Sequence, residues 1–496
     1  MHRVHLLVLL VVPAWTQETP LEEWSEQRAK HLLSRSAWGC TAWNAAQAAK
    51  ADPVSVVRGI LTPVKELDPR NADVLIPDLD AQHYLPAKLR KTFREACLVR
   101  NLRQRVAFGS LWIERILDHP HSALERMTLF WSGHFACQHT DSFVMGRQYE
   151  RLRRHALGNF RDLLHETIRD PAILFFLDNT KNHVAHPNEN LARELLELYS
   201  LGEGNYTEGD VKEAARALTG YGIDDRNQFQ FSPEHHDFGI KTIFGVTGNF
   251  DGDDLIELIL QDPQCARYIA EKLLTYFEGQ PPSPSRVESY ASQLRDDDYE
   301  LAPLLNRLFL DPDFYREEVM GSRFQSPLDY LMGTCTRLSI EPPGYILAYL
   351  ARLQGQELLS PPGVDGWEEG PSWLSPSTYV ARSNAIALLL GLSGTEAINK
   401  GSANTQYYYR FPLRRLERRG WRADLPIEPY LAWPPASDPG LLVEIMAADL
   451  LPRPADPSTI SSIAALLQAE TPSLGDEQAL VRAMHRLLTS PEAHLH

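Results

Sequence analysis

Histidine and carboxylate residues gather beside apolar sequence at four places in this 496-residue chain. The first is Phe130-Trp131-Ser132-Gly133-His134-Phe135. An imidazole set among aromatics is either a satisfied core group or a metal ligand or acid/base working near neutral pH. The second runs from His186-Pro187-Asn188-Glu189-Asn190 into Leu191-Ala192-Arg193-Glu194-Leu195-Leu196-Glu197. It predicts a helix capped at His186, with Pro187 as its first residue and Glu189 where a carboxylate caps the free amides. Glu194 and Glu197 then share a face, and Arg193 can pair with Glu197 one turn on. That pattern is a charged outer face at its plainest; functionally it is paired carboxylates that bind a divalent cation or share a proton. The third stretch is His183-Val184-Ala185-His186, either two imidazoles on one turn or a solvated loop. The fourth is His235-His236-Asp237 with Lys241 following, a carboxylate beside imidazole that supports metal ligands or simply forms a polar turn. No complete fingerprint accompanies them: H-E-x-x-H, E-x-x-H, G-x-S-x-G and the phosphate-cradling G-x-x-x-x-G-K are all missing from the sequence.

The elements that would position these groups are helical. Leu191, Leu195 and Leu198 repeat at helical spacing up to Gly202, a natural C-cap. Thr207 then caps a second helix with Asp210 at its third position, and Val211, Ala214, Ala215 and Leu218 share a face until Gly220. Asp170-Pro171, Asp262-Pro263, Asp311-Pro312 and Ser490-Pro491 each follow an apolar helical run and are placed to open the next helix. Strand signals are few, with Ile240 to Val246 as one short candidate. The expected fold class is therefore mainly α, a large multi-helix globular unit with few short strands. Residues 279–286, rich in Pro and Ser, predict an internal hinge, and Trp433 to Ser437 another loop. Six arginines between Arg410 and Arg422 form a solvated helix face or a docking patch for an anionic partner.

Bulk properties set limits. The chain is 43% hydrophobic and 23% charged, enough to bury a sizeable core. Its net charge of -16, from 65 acidic and 49 basic side chains, argues against nucleic acid as the main partner. Arg3, the apolar run Leu6 to Val12 and the small-x-small stretch Ala14-Trp15-Thr16 predict an export signal over residues 1–16, leaving 17–496 as one unit. A buried first helix is the plainer alternative. That run is too short to cross a bilayer, and no other apolar stretch reaches the roughly 18 residues a span requires. Cys40, Cys97, Cys137, Cys265 and Cys335 include no C-x-x-C pair, and export would permit one or two disulfides of unspecified pairing.

The run Asn188 to Leu198, then Leu201-Gly202, then Tyr206-Thr207-Glu208 through Ala217-Leu218-Thr219-Gly220, resembles a large bacterial domain-of-unknown-function family, number eighteen hundred. His31 to Arg35, Trp131 to Phe135, His236 to Gly245 and Pro361-Pro362-Gly363-Val364-Asp365-Gly366-Trp367 match in order, so the resemblance covers about residue 31 to the C-terminus. It implies an exported, mainly helical protein with no established activity, working beside a sulfatase-like partner. Positions matching the family pattern are His134, Asn188, Glu189, Asn190, Arg193, Glu194, Glu197, His236, Asp237 and Lys241. Where the family usually has His, this chain has Tyr199, which puts any ligand role there in doubt.

On these residues the expected activity is metal-assisted hydrolysis or the binding of a polar ligand such as a glycan. Glu194, Glu197, His134, His236 and Asp237 would be catalytic. His134, Glu189, Glu194 and His236 would hold a divalent metal ion. Asn188, Asn190, Arg193 and Lys241 would bind the ligand. The arrangement requires His134 and His236 to converge on the helix that starts near Asn188. The alternative is a non-catalytic scaffold or partner-binding protein whose polar blocks are caps and ion pairs.

Overall fold

Ser or Asp followed by Pro starts helix after helix in the computed structural model, which describes residues 23–63, 104–139, 141–398, 413, 416–418, 420–431, 438–470 and 476–496. Asp52, Asp170, Asp262, Ser283, Ser326 and Ser375 each accept a backbone N–H from the helix they precede, with Pro at its first turn. The side chain satisfies an amide with no partner inside the helix, and Pro removes a second such amide. The Asp170 and Asp262 joints are therefore as expected. Asp311-Pro312 and Ser490-Pro491 open only short 3-10 turns, Pro312–Tyr315 and Pro491–His494, the second without a side-chain cap bond.

The fold is mainly α, and the strands among the described residues form two small antiparallel hairpins. In one, β1 (Tyr221–Ile223) pairs with β2 (Phe229–Phe231), with Gly222 opposite Gln230. In the other, β3 (Lys241–Ile243) pairs with β4 (Val246–Gly248), with Thr242 opposite Thr247. The single strand expected over Ile240 to Val246 is thus a turn and parts of two strands. Phe244 and Gly245, both at positive φ, reverse the chain in its middle. Among the described residues no helix is long and apolar enough to cross a membrane.

The core behind the polar sequence blocks is aromatic. Trp131 is fully buried, stacks near Phe135 and Phe160 at 5.7 and 5.6 Å between ring centroids, and donates its indole N–H to Ala156 O at 3.0 Å. Burying such rings stabilises by roughly 2–3 kcal/mol each, and the satisfied N–H removes the cost of an unpaired donor.

Two helix expectations need correction. The helix carrying the glutamates runs Asn190–Leu196, so it starts later than Pro187. Asn188 Oδ1 takes the Asn190 N–H at 3.0 Å, and Glu189 makes no capping bond. After Leu196 the chain does not continue as α-helix but widens into a π-helical turn, Glu197–Leu201, ended by Gly202 at φ 82°. The next helix, Glu208–Ala217, has the expected capping box between Thr207 and Asp210.

The four described cysteines, Cys40, Cys137, Cys265 and Cys335, are buried free thiols and form no disulfide with one another. Burial pushes the Cys40 thiol up to about 11 and the Cys265 thiol to about 12, so neither is a ready nucleophile. Residues 1–16, Cys97, Trp433 to Ser437, and Arg410, Arg414, Arg415 and Arg419 lie outside the described residues.

Candidate functional site

The π-helical turn decides what His134 can do. A widened turn frees backbone carbonyls from the regular i to i−4 ladder, and such turns recur at functional sites. Here Tyr199 O lies 3.0 Å from His134 Nε2. A carbonyl only accepts, so Nε2 carries the hydrogen and Nδ1 holds a bare lone pair. Nδ1 is buried and has no hydrogen-bond partner among the described residues. Burial first, and the Lys272 charge second, hold the His134 imidazole well below its ordinary pKa, so it is neutral at physiological pH.

Gly133 puts this histidine against a distant loop. A Cβ at Gly366, which sits at φ +84°, would lie 2.6 Å from Gly133 O. Only glycine lets the two backbones approach so closely. Trp367 follows it, and its ring would lie 3.8 Å from a Cβ at Gly133. The Trp367 indole N–H is also buried without a partner. Around this backbone contact lie a buried acceptor, His134 Nδ1, and a buried donor, Trp367 Nε1, neither with a partner among the described residues.

Near this contact carboxylates crowd. Glu194 is half-buried and has no hydrogen bond or ion pair among the described residues. Burial, then Glu197 and Asp365, raise its pKa above the usual carboxylate range. Glu197 accepts from the Tyr206 hydroxyl at 2.6 Å, and burial, then this bond, push the hydroxyl's own pKa up. Lys272, its ammonium 5.1 Å from the Tyr268 ring centre, is held below its ordinary pKa by burial against the pull of Glu369 and Asp365. Tyr268 donates to Leu198 O at 2.9 Å and so fixes the π-helical segment from the other side.

Arg193 does not pair with Glu197 as expected. It reaches back to Glu189 at 3.3 Å and across to Glu208, which it grips at 2.7 and 2.8 Å. This ties together the starts of the Asn190–Leu196 and Glu208–Ala217 helices and leaves Glu194 without an ion pair among the described residues. Asn188 is equally occupied, its N–H donating to Asn182 Oδ1 at 2.9 Å.

The His236 block is held by a separate network. The His236 Nδ1–H donates to Thr219 O at 2.8 Å. Asp237 accepts from Arg216 Nε and from Gly239 N, each at 2.7 Å, and the Arg216 guanidinium holds its carboxyl below the usual range. Lys241 is buried and donates to Asp237 O and Gly239 O at 2.6 and 3.1 Å. These bonds build a loop and occupy Asp237, expected to be catalytic, and Lys241, expected to bind the ligand.

Among the described residues no three His, Cys, Asp or Glu side chains gather as a metal ion would require. The expected set of His134, Glu189, Glu194 and His236 is accordingly not assembled as ligands: His134 faces the π-helical turn, His236 serves the Thr219 loop and Glu189 pairs with Arg193. What the structure does bring together is Glu194, Glu197 and His134 with Asp365, Trp367, Lys272 and Tyr206. These last four carry no motif spacing with the glutamates. The sequence signals are Tyr206 in the run that continues from Asn188 and the Pro361–Trp367 block, both matching stretches without a role.

The family described as "Protein of unknown function (DUF1800)" matches residues 31–495. No curated protein and no solved structure matches the chain.

Proposed function

Because the chain belongs to the DUF1800 family, whose description assigns no activity, we propose from its own geometry that it binds a hydroxyl-rich ligand such as a glycan at the acidic face of Glu194, Glu197 and Asp365. One observation carries this: the Glu194 carboxyl is half-buried, crowded by two other carboxylates, and forms no ion pair among the described residues. A carboxyl that keeps its proton to higher pH than usual can donate as well as accept, which is what sugar hydroxyls require. If the ligand is cleaved, Glu194 is the group suited to give a proton and Glu197 the one suited to activate water.

The test is calorimetry of the full chain against a panel of neutral oligosaccharides, with Glu194→Gln and Glu194→Ala alongside. Gln keeps an amide donor and acceptor in place of the carboxyl, so binding should survive in Gln and weaken about tenfold or more in Ala, with both variants folded. Equal binding by wild type and Glu194→Ala would sink the proposal. A second reading, a partner-binding protein of the sort that works with a sulfatase-like exported protein, draws on the Arg216–Asp237 and Arg193–Glu208 bonds, which use polar residues as architecture. It would gain if no sugar bound and Glu194→Ala lowered only the melting temperature.

A further inference from the structure

A second polar site stands in the C-terminal part of the chain, and it does not depend on the acidic face. A cavity of about 280 Å3 is lined by residues 453–456 and by Pro491, Glu492 and Leu495. Glu492 is 8% exposed. Its Oε1 accepts from Asp456 N and from Thr459 Oγ1, both at 2.9 Å, at the start of the Pro457–Glu470 helix. Its Oε2 is buried and has no hydrogen-bond partner among the described residues. Burial opposes the charge, but the Asp456 amide, its own amide and the Ser490 and Thr459 hydroxyls outweigh burial and hold the carboxyl below its ordinary pKa. The Ser490 hydroxyl contributes by proximity only, since its oxygen also lacks a partner in hydrogen-bonding geometry. An ionised carboxylate that is nine-tenths buried calls for a cation or a strong donor.

No ion pair reaches Glu492 among the described residues. The cation that lines the cavity, Arg453, lies over Gly321 instead. It donates from Nη1 to Gly321 O at 3.1 Å, and a Cβ at Gly321 would meet its Cδ at 3.2 Å. Gly321 thereby sets where the guanidinium lies, and Arg453 makes no other hydrogen bond among the described residues. The cavity wall thus holds two carboxylates, Glu492 and Asp456, one guanidinium, and the apolar surfaces of Pro454, Ala455 and Leu495.

We propose that this cavity binds a small zwitterion of the amino-acid class, its ammonium group on Glu492 Oε2, its carboxylate on Arg453 and a short apolar side chain against Pro454, Ala455 and Leu495. The charge balance of the wall favours the ammonium. Guanidinium matches a carboxylate through paired donors. The volume of about 280 Å3 lies just below the roughly 300–1,000 Å3 of small-molecule sites, which restricts the ligand to a compact one.

The experiment is titration calorimetry of the full chain with L-alanine, ethylamine and acetate as separate probes. L-alanine should saturate the site, ethylamine should bind more weakly, and acetate should bind least. Glu492→Gln keeps the Oε1 acceptor for Asp456 and Thr459 and should weaken both L-alanine and ethylamine about tenfold or more. Arg453→Ala, at an exposed position, should weaken L-alanine about tenfold and leave ethylamine unchanged. Absence of binding by L-alanine and ethylamine to the wild type overturns the proposal, as does binding that neither variant alters. Circular dichroism checks folding, and if Glu492→Gln does not fold, the L-alanine against ethylamine split in Arg453→Ala decides alone.

Discussion

At the acidic face, Glu194 and Asp365 stand close enough to raise the Glu194 pKa, and the nearest arginine in sequence is spent elsewhere. In the interior the imbalance has the opposite sign. Arg35, Arg126 and Arg382 are 0–1% exposed, and Asp329 is the carboxylate buried among them. Arg126 pairs with Asp329 and donates to Ala37 O; Arg35 donates to Phe277 O and Val319 O, each at 2.7 Å; Arg382 donates to Gln325 O at 2.7 Å. Ala37 ends the Glu26–Ser36 helix and Phe277 lies in the last turn of Pro263–Glu278. Helix C-termini carry partial negative charge, so backbone carbonyls complete what one aspartate cannot. The difference shows where charge is architecture and where it is available. Buried cations here are enclosed by fixed dipoles, whereas the exposed acids are left with unmet demand.

The largest effect should come from breaking the interior. Asp329 receives Arg126, has Arg323 at 3.6 Å, and closes a capping box with Ser326. Asp329→Ala strands a buried guanidinium and should cost about 3–5 kcal/mol in urea unfolding. These neighbours hold the Asp329 carboxyl far below the usual range, Arg126 being the strongest that acts against burial. The stability it contributes is therefore present above the ordinary aspartate pKa and lost as pH falls below it. A loss under about 1 kcal/mol would mean that the helix-end carbonyls suffice without the aspartate.

The two regions differ in how far the sequence announces them. The helical fold was legible because periodicity and the Asp-Pro and Ser-Pro joints are local signals, and Thr207 with Asp210 behaves as its spacing predicts. Glu194, Glu197 and His134 were legible as residues with chemistry. Their company was not, because Asp365, Trp367 and Lys272 arrive through tertiary packing. The π-helical turn was hidden as well: Leu191, Leu195 and Leu198 fit an uninterrupted helix, and the widening follows from contacts such as Tyr268 to Leu198 O. Arg126 and Arg382 have no local pattern that separates them from surface arginines, since burial of a charge depends on partners far along the chain. The metal set failed for a related reason. His236 and Asp237 sit in a polar cluster that sequence cannot tell from a ligand cluster, and Thr219 and Arg216 use them to hold a loop.

An intermediate effect should appear on acidification. His494 is 2% exposed beside Arg382, and burial, then that charge, lowers its pKa from 6.5 to about 4. Below pH 6.5 the unfolded chain takes up a proton that the native imidazole refuses. Stability should consequently fall as pH drops from about 6.5 toward 4, by no more than about 3 kcal/mol from this residue. His494→Gln, which cannot titrate, should flatten that part of the stability curve. An unchanged slope would assign the acid sensitivity to His31, His134 and His496, which are depressed in the same direction.

The smallest effect sharpens the comparison most. Arg193 bridges Glu189 and Glu208 with geometry as close as many interior pairs, at 2.7 Å to Glu208, yet both partners meet solvent. Water screens exposed pairs, and the long side chains lose freedom in making them. Arg193→Ala should therefore leave the urea midpoint almost where it was, although it removes three hydrogen bonds. It should act on the acidic face instead. Without Arg193, which pulls the Glu194 pKa down, the carboxyl rises further, and sugar binding should persist to higher pH than in the wild type. A large loss of stability with no change in that pH dependence would mean that Arg193 belongs with the buried guanidiniums, and that the division between structural and available charge does not hold at this face.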